Sequence, residues 1–223
     1  MSKRIFITAT NTNIGKTYAS KCLIEAFSRL GLRVGVFKPI ETGVSSVPND
    51  GYELLSTASI YNNALNSLSV NDIVPIQLSL PAAPFVANTD KSIDLSHFDD
   101  ALAKIEALSD IVIIEGAGGL LVPINDQKMM IDLPHYFHAV TLLITHCNLG
   151  CINDTLLSQK ALEDAKLPFI TAFNCRAEDT SFETTSLPYL HHRFQSIYRI
   201  DNDIDTIAKA LLDTISLYPE ERA

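Results

Sequence analysis

The sequence predicts an α/β protein, a single domain over residues 1–223 in which a parallel sheet is flanked by helices on both faces. Three observations support this prediction. Short apolar runs alternate with longer segments of helical periodicity, which is typical of parallel strands joined by right-handed helical crossovers. The apolar runs lack polar alternation, as expected for strands covered on both faces. Polar or glycine-rich loops follow several runs, at the edge of a parallel sheet where ligands bind.

Six short apolar runs are the predicted strands. They lie at 5–7, 34–37, 110–115, 140–145, 168–174 and 197–200. The run Asp110–Glu115 contains four consecutive β-branched residues, so we expect it to be central and buried. Lys38, Pro39 and Gly43 follow the second run, where proline and glycine favour a loop at the carboxyl end of the strand.

Six segments with apolar residues at helical spacing are the predicted helices. They lie at 17–30, 52–61, 95–108, 153–165, 181–194 and 203–217. Gly31 ends the first of them. Residues 62–92 contain Pro75, Pro81 and Pro84, so we expect loops, a short helix and little sheet in that region.

Composition and charge exclude several classes of protein. Hydrophobic residues make up 47% of the chain and charged residues 19%, which is typical of a globular protein. The net charge of −9 offers no basic face to a nucleic acid. Because no apolar run is long enough to cross a bilayer and the first residues lack an apolar signal core, we expect a cytoplasmic protein.

The cysteines and histidines predict neither a disulfide framework nor a metal centre. The chain has four cysteines, Cys22, Cys147, Cys151 and Cys175. Four are too sparse for a disulfide framework at this length, which fits a reducing cytosol. We do not expect the neighbours Cys147 and Cys151 to bind a metal, because no nearby Cys-x-x-Cys or histidine pattern completes a tetrahedral set.

The segment Asn13-Ile14-Gly15-Lys16-Thr17 predicts a phosphate-binding loop, and with it a P-loop NTPase-like sheet. It lies between the first predicted strand and the first predicted helix, which is the context that this motif requires. The helix start would present free N–H groups to a phosphate, Lys16 would add a positive charge, and the Thr17 hydroxyl could ligate Mg²⁺. The first glycine of the strict motif is absent, and an ordinary strand-to-helix turn is the alternative interpretation.

Three charged residues in loops near this motif are candidates for phosphoryl-transfer chemistry. Lys38 follows a predicted buried strand and could neutralise charge on a phosphate, although a surface lysine is the alternative. Glu115 ends the central strand before Gly-Ala-Gly-Gly, which is typical of an acid that holds Mg²⁺, and the alternative is a surface or capping glutamate. Asp50 is a weaker candidate, because it could equally be the N-cap of the helix that begins at Tyr52.

Two further loops have candidate binding roles. The N–H groups of Gly150–Asn153 precede a predicted helix and could hold a carboxylate, although Asn153 could also act only as a helix cap. Asn174 ends a predicted strand, and its amide could pair with a purine edge or stabilise a turn.

These motifs, in this order, resemble the dethiobiotin synthetase family over nearly the whole chain. The matching stretches are Thr10-x-Thr12-x-Ile14-Gly15-Lys16-Thr17, Lys38-Pro39-x-x-Thr42-Gly43, Glu115-Gly116-Ala117-Gly118-Gly119 and Leu149-Gly150-Cys151-Ile152-Asn153. The resemblance implies a homodimer with a parallel-sheet α/β fold and a shared active site. It also implies an enzyme that uses ATP, Mg²⁺ and CO₂ or bicarbonate to close a ureido ring on 7,8-diaminononanoate.

The resemblance implies a role for each matching residue. Lys38 and Lys16 would be catalytic, and Thr17, Asp50 and Glu115 would ligate Mg²⁺. The residues implied to bind ATP are Asn13, Ile14, Gly15, Lys16, Thr17, Tyr18, Asp50, Glu115, Gly116, Ala117, Gly118, Asn174 and Cys175. The residues implied to bind the diamine substrate are Thr12, Lys38, Thr42, Gly118, Leu121, Gly150, Cys151, Ile152 and Asn153.

The chain departs from the family pattern at several positions. Ala9 and Asn11 replace a glycine and a common aspartate in the loop, and Asp154 stands where a histidine is frequent. Cys175-Arg176 replaces the usual aspartate after the base-binding asparagine, and the segment that covers the base is not recognisable around 199–203. We therefore expect only a weak preference for ATP over GTP.

Two alternative functions belong to related folds. The first is an ATPase switch of the chromosome-partition or division-site type, but those proteins generally carry a lysine early in the loop, where this chain has Asn11. The second is an amidotransferase-like ligase of corrinoid synthesis, for whose glutaminase domain 223 residues leave no space.

Overall fold

The sheet has six parallel strands. The computed structural model describes residues 3–90 and 92–218. The six strands are β1 (Lys3–Ala9), β2 (Val34–Phe37), β5 (Ile111–Gly119), β6 (Val140–His146), β7 (Phe169–Asn174) and β8 (Tyr198–Arg199). The strand order is β2-β5-β1-β6-β7-β8, and each hydrogen-bonded pair is parallel. A small separate sheet pairs β3 (Ile40–Thr42) with β4 (Ile76–Leu78).

Helices connect the strands and cover the sheet. They are α1 (Lys16–Arg29), α2 (Asn49–Tyr61), α3 (Val70–Ile73), α4 (Pro84–Ala87), α5 (His97–Glu106), α6 (Asp132–Tyr136), α7 (Cys151–Asp164), α8 (Phe182–Thr185), α9 (Leu187–Arg193) and α10 (Ile200–Leu217). None of the helices in the described ranges is both long enough and apolar enough to span a bilayer.

The side chains of β2 show how both faces of the sheet are covered. Gly35 faces α5, because a Cβ atom there would lie 2.6 Å from Cγ2 of Ile105. Phe37 points the same way, and its ring packs edge-on against Phe98 of α5, with centroids 6.2 Å apart. Val34 and Val36 alternate with them and point to the opposite face, where α1 and α2 pack. The predicted α/β class with helices on both faces is confirmed.

The core of the sheet is the pair β1–β5. Ile5, Phe6 and Ile7 of β1 and residues 111–114 of β5 are fully buried, and the two strands run in parallel register. The prediction that the run 110–115 forms a central strand is correct, because β5 lies between β2 and β1. The strand also continues to Gly119, through glycine-rich residues for which we expected a loop.

The last two predicted helices have different boundaries in the structure. The segment 181–194 is divided into α8 and α9 at Ser186, whose φ of −120° is not helical and which precedes Leu187-Pro188. Pro188 has no N–H with which to continue the preceding helix, and proline is favoured in the first turn of a new helix, which accounts for the division. The last helix begins at Ile200 and not at Asp203, which leaves β8 only two residues long.

The cysteines also differ from expectation. Cys147 and Cys175 are joined by a disulfide, while Cys22 and Cys151 are free. The bond links the chain just after β6 to the chain just after β7, two neighbouring strands, and Cys147 packs in a small apolar cluster with Phe173. Sparse cysteines argued against a framework of several bridges, but they did not reveal that the two adjacent strand ends bring this one pair together.

Candidate active site

A cavity of about 820 Å³ opens where the strands of the main sheet end. Its wall comes from the loop before α1, from β3 and the start of α2, from the turn before α4, and from the end of β5. The lining residues are Thr12, Asn13, Gly15, Lys16, Thr17, Lys38, Glu41, Thr42, Asp50, Pro81, Ala82, Ala83, Pro84, Glu115, Ala117, Gly118, Val122 and Arg176. These loops were expected to converge, because the carboxyl ends of parallel strands lie at the same edge of the sheet.

The loop between β1 and α1 has the backbone of a phosphate-binding loop. Gly15 precedes α1 with φ of +108°, and Asn13 also has a positive φ of 60°. The first turn of α1 begins at Lys16 and contains no acidic residue, so its N–H groups and partial positive charge are available to an anion in the cavity.

Lys16 is a buried cation at the start of α1. Its Nζ lies 3.4 Å from the carbonyl oxygen of Asn11, a long contact that leaves other donors available to a ligand. Burial, and secondarily the charge of Lys38, lower the pKa of Lys16 to about 8. A bound anion would relieve both effects, so the side chain is suited to a multiply charged phosphate.

Glu115 is the centre of the hydrogen-bond network at the floor of the cavity. It is fully buried, and its Oε1 accepts from Thr17 Oγ1 (2.9 Å) and from Lys38 Nζ (2.8 Å). Its Oε2 accepts from Ser20 Oγ (2.7 Å). The glutamate that ends the central strand is therefore tied to the phosphate-binding loop and to Lys38, and it is not the surface residue that we considered as the alternative.

Lys38 joins two carboxylates. Its Nζ donates to Asp50 Oδ2 (2.8 Å) and Glu115 Oε1 (2.8 Å), and it lies 3.3 Å from the carbonyl oxygen of Gly116. Burial alone would favour the neutral amine, but the two carboxylates outweigh it and raise the pKa of Lys38. The pKa of Asp50 is lowered, because the attraction of Lys38 outweighs the desolvation of its carboxylate. Lys38 is thus a fixed cation and not a solvated surface lysine.

The oxygen atoms around Glu115 suit a magnesium ion bound together with a nucleotide. Thr17, Asp50 and Glu115 offer a hydroxyl and two carboxylates, and all three side chains line the same cavity. Among the described residues no group of three His, Cys, Asp or Glu side chains is placed to hold a metal. Mg²⁺ needs no such group, since it is usually bound by one or two carboxylates, water and substrate phosphates. The donor set therefore fits Mg²⁺.

Several of the residues implied to bind substrate lie beside this network. Thr12, Thr42 and Gly118 line the cavity, and a Cβ atom at Gly118 would lie 3.6 Å from Thr12 Oγ1. Leu121 lies outside the cavity wall and is 64% exposed.

The loop before α7 is separate from this cavity within one chain. Gly150 has φ of +101° and caps α7, and Cys151 is buried. None of the residues 150–153 lines the cavity. Asp154 stands where the family often has histidine. Its carboxylate lies 3.0 Å from Nε2 of His146, the last residue of β6, so in this chain an imidazole from β6 lies beside the start of α7.

Three residues implied to bind ATP, Tyr18, Asn174 and Cys175, do not line the cavity. Asn174 Nδ2 donates to the carbonyl oxygen of Ile14 (2.7 Å), which holds the end of β7 against the phosphate-binding loop. The sulfur of Cys175 is bonded to Cys147. Tyr18 is 48% exposed, and its hydroxyl donates to Asp201 on α10 (2.6 Å).

Three polar residues of the cavity or its hydrogen-bond network were missed in the sequence, as were the apolar lining residues Pro81, Ala82, Ala83, Pro84 and Val122. Ser20 could have been found, because it lies three residues after Thr17 and therefore on the same face of α1. Arg176, noted only as a departure, lines the cavity and donates to the carbonyl oxygen of Asn13. Glu41 belongs to β3 of the small separate sheet and lines the cavity, and no sequence motif indicated this role.

Gly15→Ala is expected to weaken nucleotide binding by at least about tenfold, because φ of +108° strains any other residue and the new Cβ would lie 2.1 Å from Asn174 Nδ2. Gly31→Ala is the matched control. Gly31 also has a positive φ, of 80°, but a Cβ atom there would have no neighbour within 4 Å, and it is at the far end of α1. Both variants should unfold at lower temperature, and titration with a fluorescent ATP analogue should show weaker binding only for Gly15→Ala. Equal affinity in the two variants would contradict the assignment of the loop.

The fold and the cavity define a P-loop nucleotide-binding protein. A family model described as an AAA domain matches residues 3–209. Among solved structures, the chain is similar to the MinD cell division protein of Aquifex aeolicus, with a TM-score of 0.51, 14% identity and 100% and 99% of the two chains covered. It is also similar to a plasmid partition protein of Borrelia burgdorferi, with a TM-score of 0.53, 12% identity and 97% and 98% covered. At these identities the likeness shows the fold alone.

Sequence relatives then identify the family. The chain is 38% identical to the ATP-dependent dethiobiotin synthetase BioD of Sulfurovum sp. (strain NBC37-1), over 93% of this chain and 99% of the relative. It is 34% identical to the protein of the same name from Wolinella succinogenes, over 96% and 100%, and 38% identical to that of Helicobacter pylori (strain J99), over 83% and 87%. The chain belongs to the ATP-dependent dethiobiotin synthetase family. The predicted enzyme class, an ATP-dependent ligase that forms C–N bonds, is confirmed.

Proposed function

We propose that this chain closes the ureido ring of dethiobiotin on 7,8-diaminononanoate, in biotin biosynthesis, using ATP, Mg²⁺ and CO₂ or bicarbonate. The observation that carries the proposal is the network in which Lys38 Nζ lies 2.8 Å from both Glu115 and Asp50 beside the phosphate-binding loop. This network supports the proposal, because phosphoryl transfer needs a fixed positive charge and oxygen ligands for Mg²⁺ beside the γ-phosphate. The names of the relatives support the reaction.

The reaction requires the protein to position the reacting groups and to neutralise the negative charge of the phosphates. One amine of the diamine adds CO₂ and loses a proton to give a carbamate. A carbamate oxygen then attacks the γ-phosphorus, ADP leaves, and a carbamic–phosphoric anhydride forms. The second amine attacks the carbonyl carbon, and the five-membered ring closes with loss of phosphate and a proton. Mg²⁺, when bound, supplies charge neutralisation on the phosphates.

Each step can be matched to residues of the cavity. Lys16 and the N–H groups of the loop from Asn13 to Tyr18 hold the triphosphate, and Lys38 neutralises the oxygens that gain negative charge during transfer. Thr12, Thr42 and Gly118 surround the reacting amines. Thr17, Asp50 and Glu115 would hold Mg²⁺. A site with two lysines, carboxylates and glycines is what such a reaction needs, because no enzyme nucleophile takes part.

The carboxylate of the substrate is received by the start of α7, Gly150–Asn153, of a second subunit in a homodimer. In support, this helix start lies apart from the cavity of its own chain. Leu149 and Leu157, which flank it, are exposed by 85% and 62% in the single chain, and apolar side chains of this size are commonly covered in an interface. Sedimentation of the purified protein should show a dimer.

We expect only a weak preference for ATP over GTP, less than about tenfold in kcat/KM. The physical reason is that Asn174, which would read the base, already donates to the carbonyl oxygen of Ile14, while Cys175 is held in a disulfide. Turnover with the two nucleotides at equal concentrations measures the preference. A preference for ATP above a hundredfold would contradict it.

Incubation of the purified protein with 7,8-diaminononanoate, bicarbonate, Mg²⁺ and ATP, followed by mass spectrometry, tests the proposed function. We expect dethiobiotin, with one ADP and one phosphate released for each ring closed, and little hydrolysis of ATP without the diamine. Hydrolysis that is stimulated by DNA or lipid vesicles, and is indifferent to the diamine, would instead support the partition-type ATPase.

A further inference from the structure

A buried glutamate outside the network of Lys38 lies in the same cavity wall. Glu41 is the middle residue of β3, and only 7% of it is exposed. Its Oε1 accepts from the backbone N–H of Asp50 and its Oε2 from that of Gly51, each at 3.0 Å. Burial of the carboxylate raises the pKa of Glu41, while these two N–H donors oppose the rise. Both carboxylate oxygens are therefore used to hold one short piece of backbone.

That piece of backbone is the first turn of α2, which lacks an ordinary cap. Helices begin with N–H groups that have no partner within the helix, and a serine, threonine, aspartate or asparagine usually accepts from them. The residue before α2 is Pro48, whose side chain has no acceptor. Glu41 supplies the missing acceptors from a different element, so the start of α2 is fastened to β3 by this one carboxylate.

The same turn carries Asp50. The N–H of Asp50 is held by Glu41, and its carboxylate accepts from Lys38 Nζ at 2.8 Å. Glu41 and Lys38 both belong to the segment that leads from β2 into β3. These neighbouring residues therefore hold Asp50 at two points, Glu41 at its backbone and Lys38 at its side chain. A small rotation of the first turn of α2 would carry the carboxylate of Asp50 away from Lys38 and from the oxygen donors Thr17 and Glu115.

We propose that Glu41 is a positioning residue: it fixes the first turn of α2 so that the carboxylate of Asp50 stays in the Lys38–Glu115 network and completes the oxygen donor set for Mg²⁺ with nucleotide. Glu41 acts through Asp50, because both of its carboxylate oxygens already accept from backbone N–H groups of α2. The inference deepens the proposed function and, for the metal, rests on it.

Glu41→Gln tests the proposal with little change of shape. The amide keeps one acceptor oxygen but places an NH₂ group against a backbone N–H, so one of the two bonds is lost. The control is Glu53→Gln, the same change one turn further along α2, at an exposed carboxylate that pairs with Lys21. Glu41→Asp is a second variant. It keeps the negative charge, but its side chain is one methylene shorter, so the carboxylate lies further from the N–H groups of α2.

The informative readout is the gain in affinity that Mg²⁺ gives to the non-hydrolysable nucleotide AMPPNP, measured by calorimetry with and without the metal. For Glu41→Gln and Glu41→Asp we expect this gain to fall by about tenfold, while metal-free binding changes less than about twofold. Amide exchange at Asp50 and Gly51, measured without nucleotide or metal, should become faster. Glu53→Gln should match the wild type in all three measurements. A merely structural glutamate would weaken binding equally with and without Mg²⁺, and that outcome would overturn the proposal.

A double-mutant cycle with Asp50→Asn decides whether Glu41 acts through Asp50. If it does, adding Glu41→Gln to Asp50→Asn causes no further loss of the Mg²⁺-dependent gain. Losses that multiply would overturn the proposal even if each single variant behaves as expected. The proposed function fails separately: it is contradicted if the wild-type protein makes no dethiobiotin, whereas the coupling between Glu41 and Asp50 is measured by binding alone.

Discussion

Lys38→Gln is expected to lower kcat for dethiobiotin formation by about a hundred- to a thousandfold, the loss typical when one group that stabilises charge in a transition state is removed. The ammonium group of Lys38 is fixed by Glu115 and Asp50, so it is already in place before charge develops on the transferred phosphoryl group. Glutamine retains a donor but not the charge. KM for ATP should change much less than kcat, because Lys16 and the loop amides hold the triphosphate. Initial rates over a range of ATP concentrations separate the two constants.

The stability of Lys38→Gln must be measured alongside its activity. Removing one partner of a buried ion pair costs about 3 kcal/mol or more, because the fully buried Glu115 loses a counter-charge. A domain with a free energy of unfolding of about 5–15 kcal/mol would stay folded at 25 °C after that loss. Lys21→Gln, at an exposed lysine of α1, should retain wild-type turnover. A folded Lys38→Gln protein with turnover within tenfold of the wild type would remove Lys38 from the proposed chemistry.

Glu115→Gln is expected to weaken Mg²⁺-dependent nucleotide binding by at least about a hundredfold, because losing even a group that only supports a metal ligand costs about 10- to 100-fold and Glu115 is proposed to bind Mg²⁺ directly. The carboxylate accepts from Thr17, Ser20 and Lys38, so the substitution removes a charge and also leaves an NH₂ group among three donors. Calorimetry with AMPPNP, with and without Mg²⁺, measures the loss. Turnover should fall by a similar or larger factor.

Glu25→Gln is the control for Glu115→Gln. Glu25 lies on the exposed side of α1 and pairs with Arg29, so its loss should leave nucleotide binding unchanged. If Glu115→Gln bound the nucleotide with the same Mg²⁺-dependent gain as the wild type, the metal site would have to be assigned elsewhere in the cavity.

The parts of the fold that were predictable are those in which local sequence and tertiary context agree. The β-branched run Ile111–Ile114 predicts a buried central strand because nothing else packs well between two neighbours and two helical layers. Lys16, Lys38 and Glu115 could be placed together because each was predicted to lie at or beyond the carboxyl end of a parallel strand, and those ends meet at one edge. The topology of the parallel sheet therefore brings residues from separate motifs together in one site.

The parts that were missed depend on contacts between distant elements. The start of α2 at Asn49 was not predicted, because its N–H groups are satisfied by Glu41 from another strand and not by a local cap. The disulfide between Cys147 and Cys175 requires two neighbouring strand ends, which spacing along the chain does not show. Arg176 reaches back across the phosphate-binding loop to Asn13, although 163 positions separate them. Spacing and periodicity carry no information on such pairs.

A crystal structure with AMPPNP, Mg²⁺ and 7,8-diaminononanoate bound would test the central claim most directly. We predict that Lys38 Nζ contacts an oxygen of the γ-phosphate, that Thr17, Asp50 and Glu115 lie around the metal, and that the amines of the substrate lie between Thr12 and Thr42. A complex in which the γ-phosphate lies above Gly15 while Lys38 and Glu115 face away from it would contradict the ligase mechanism proposed for this chain.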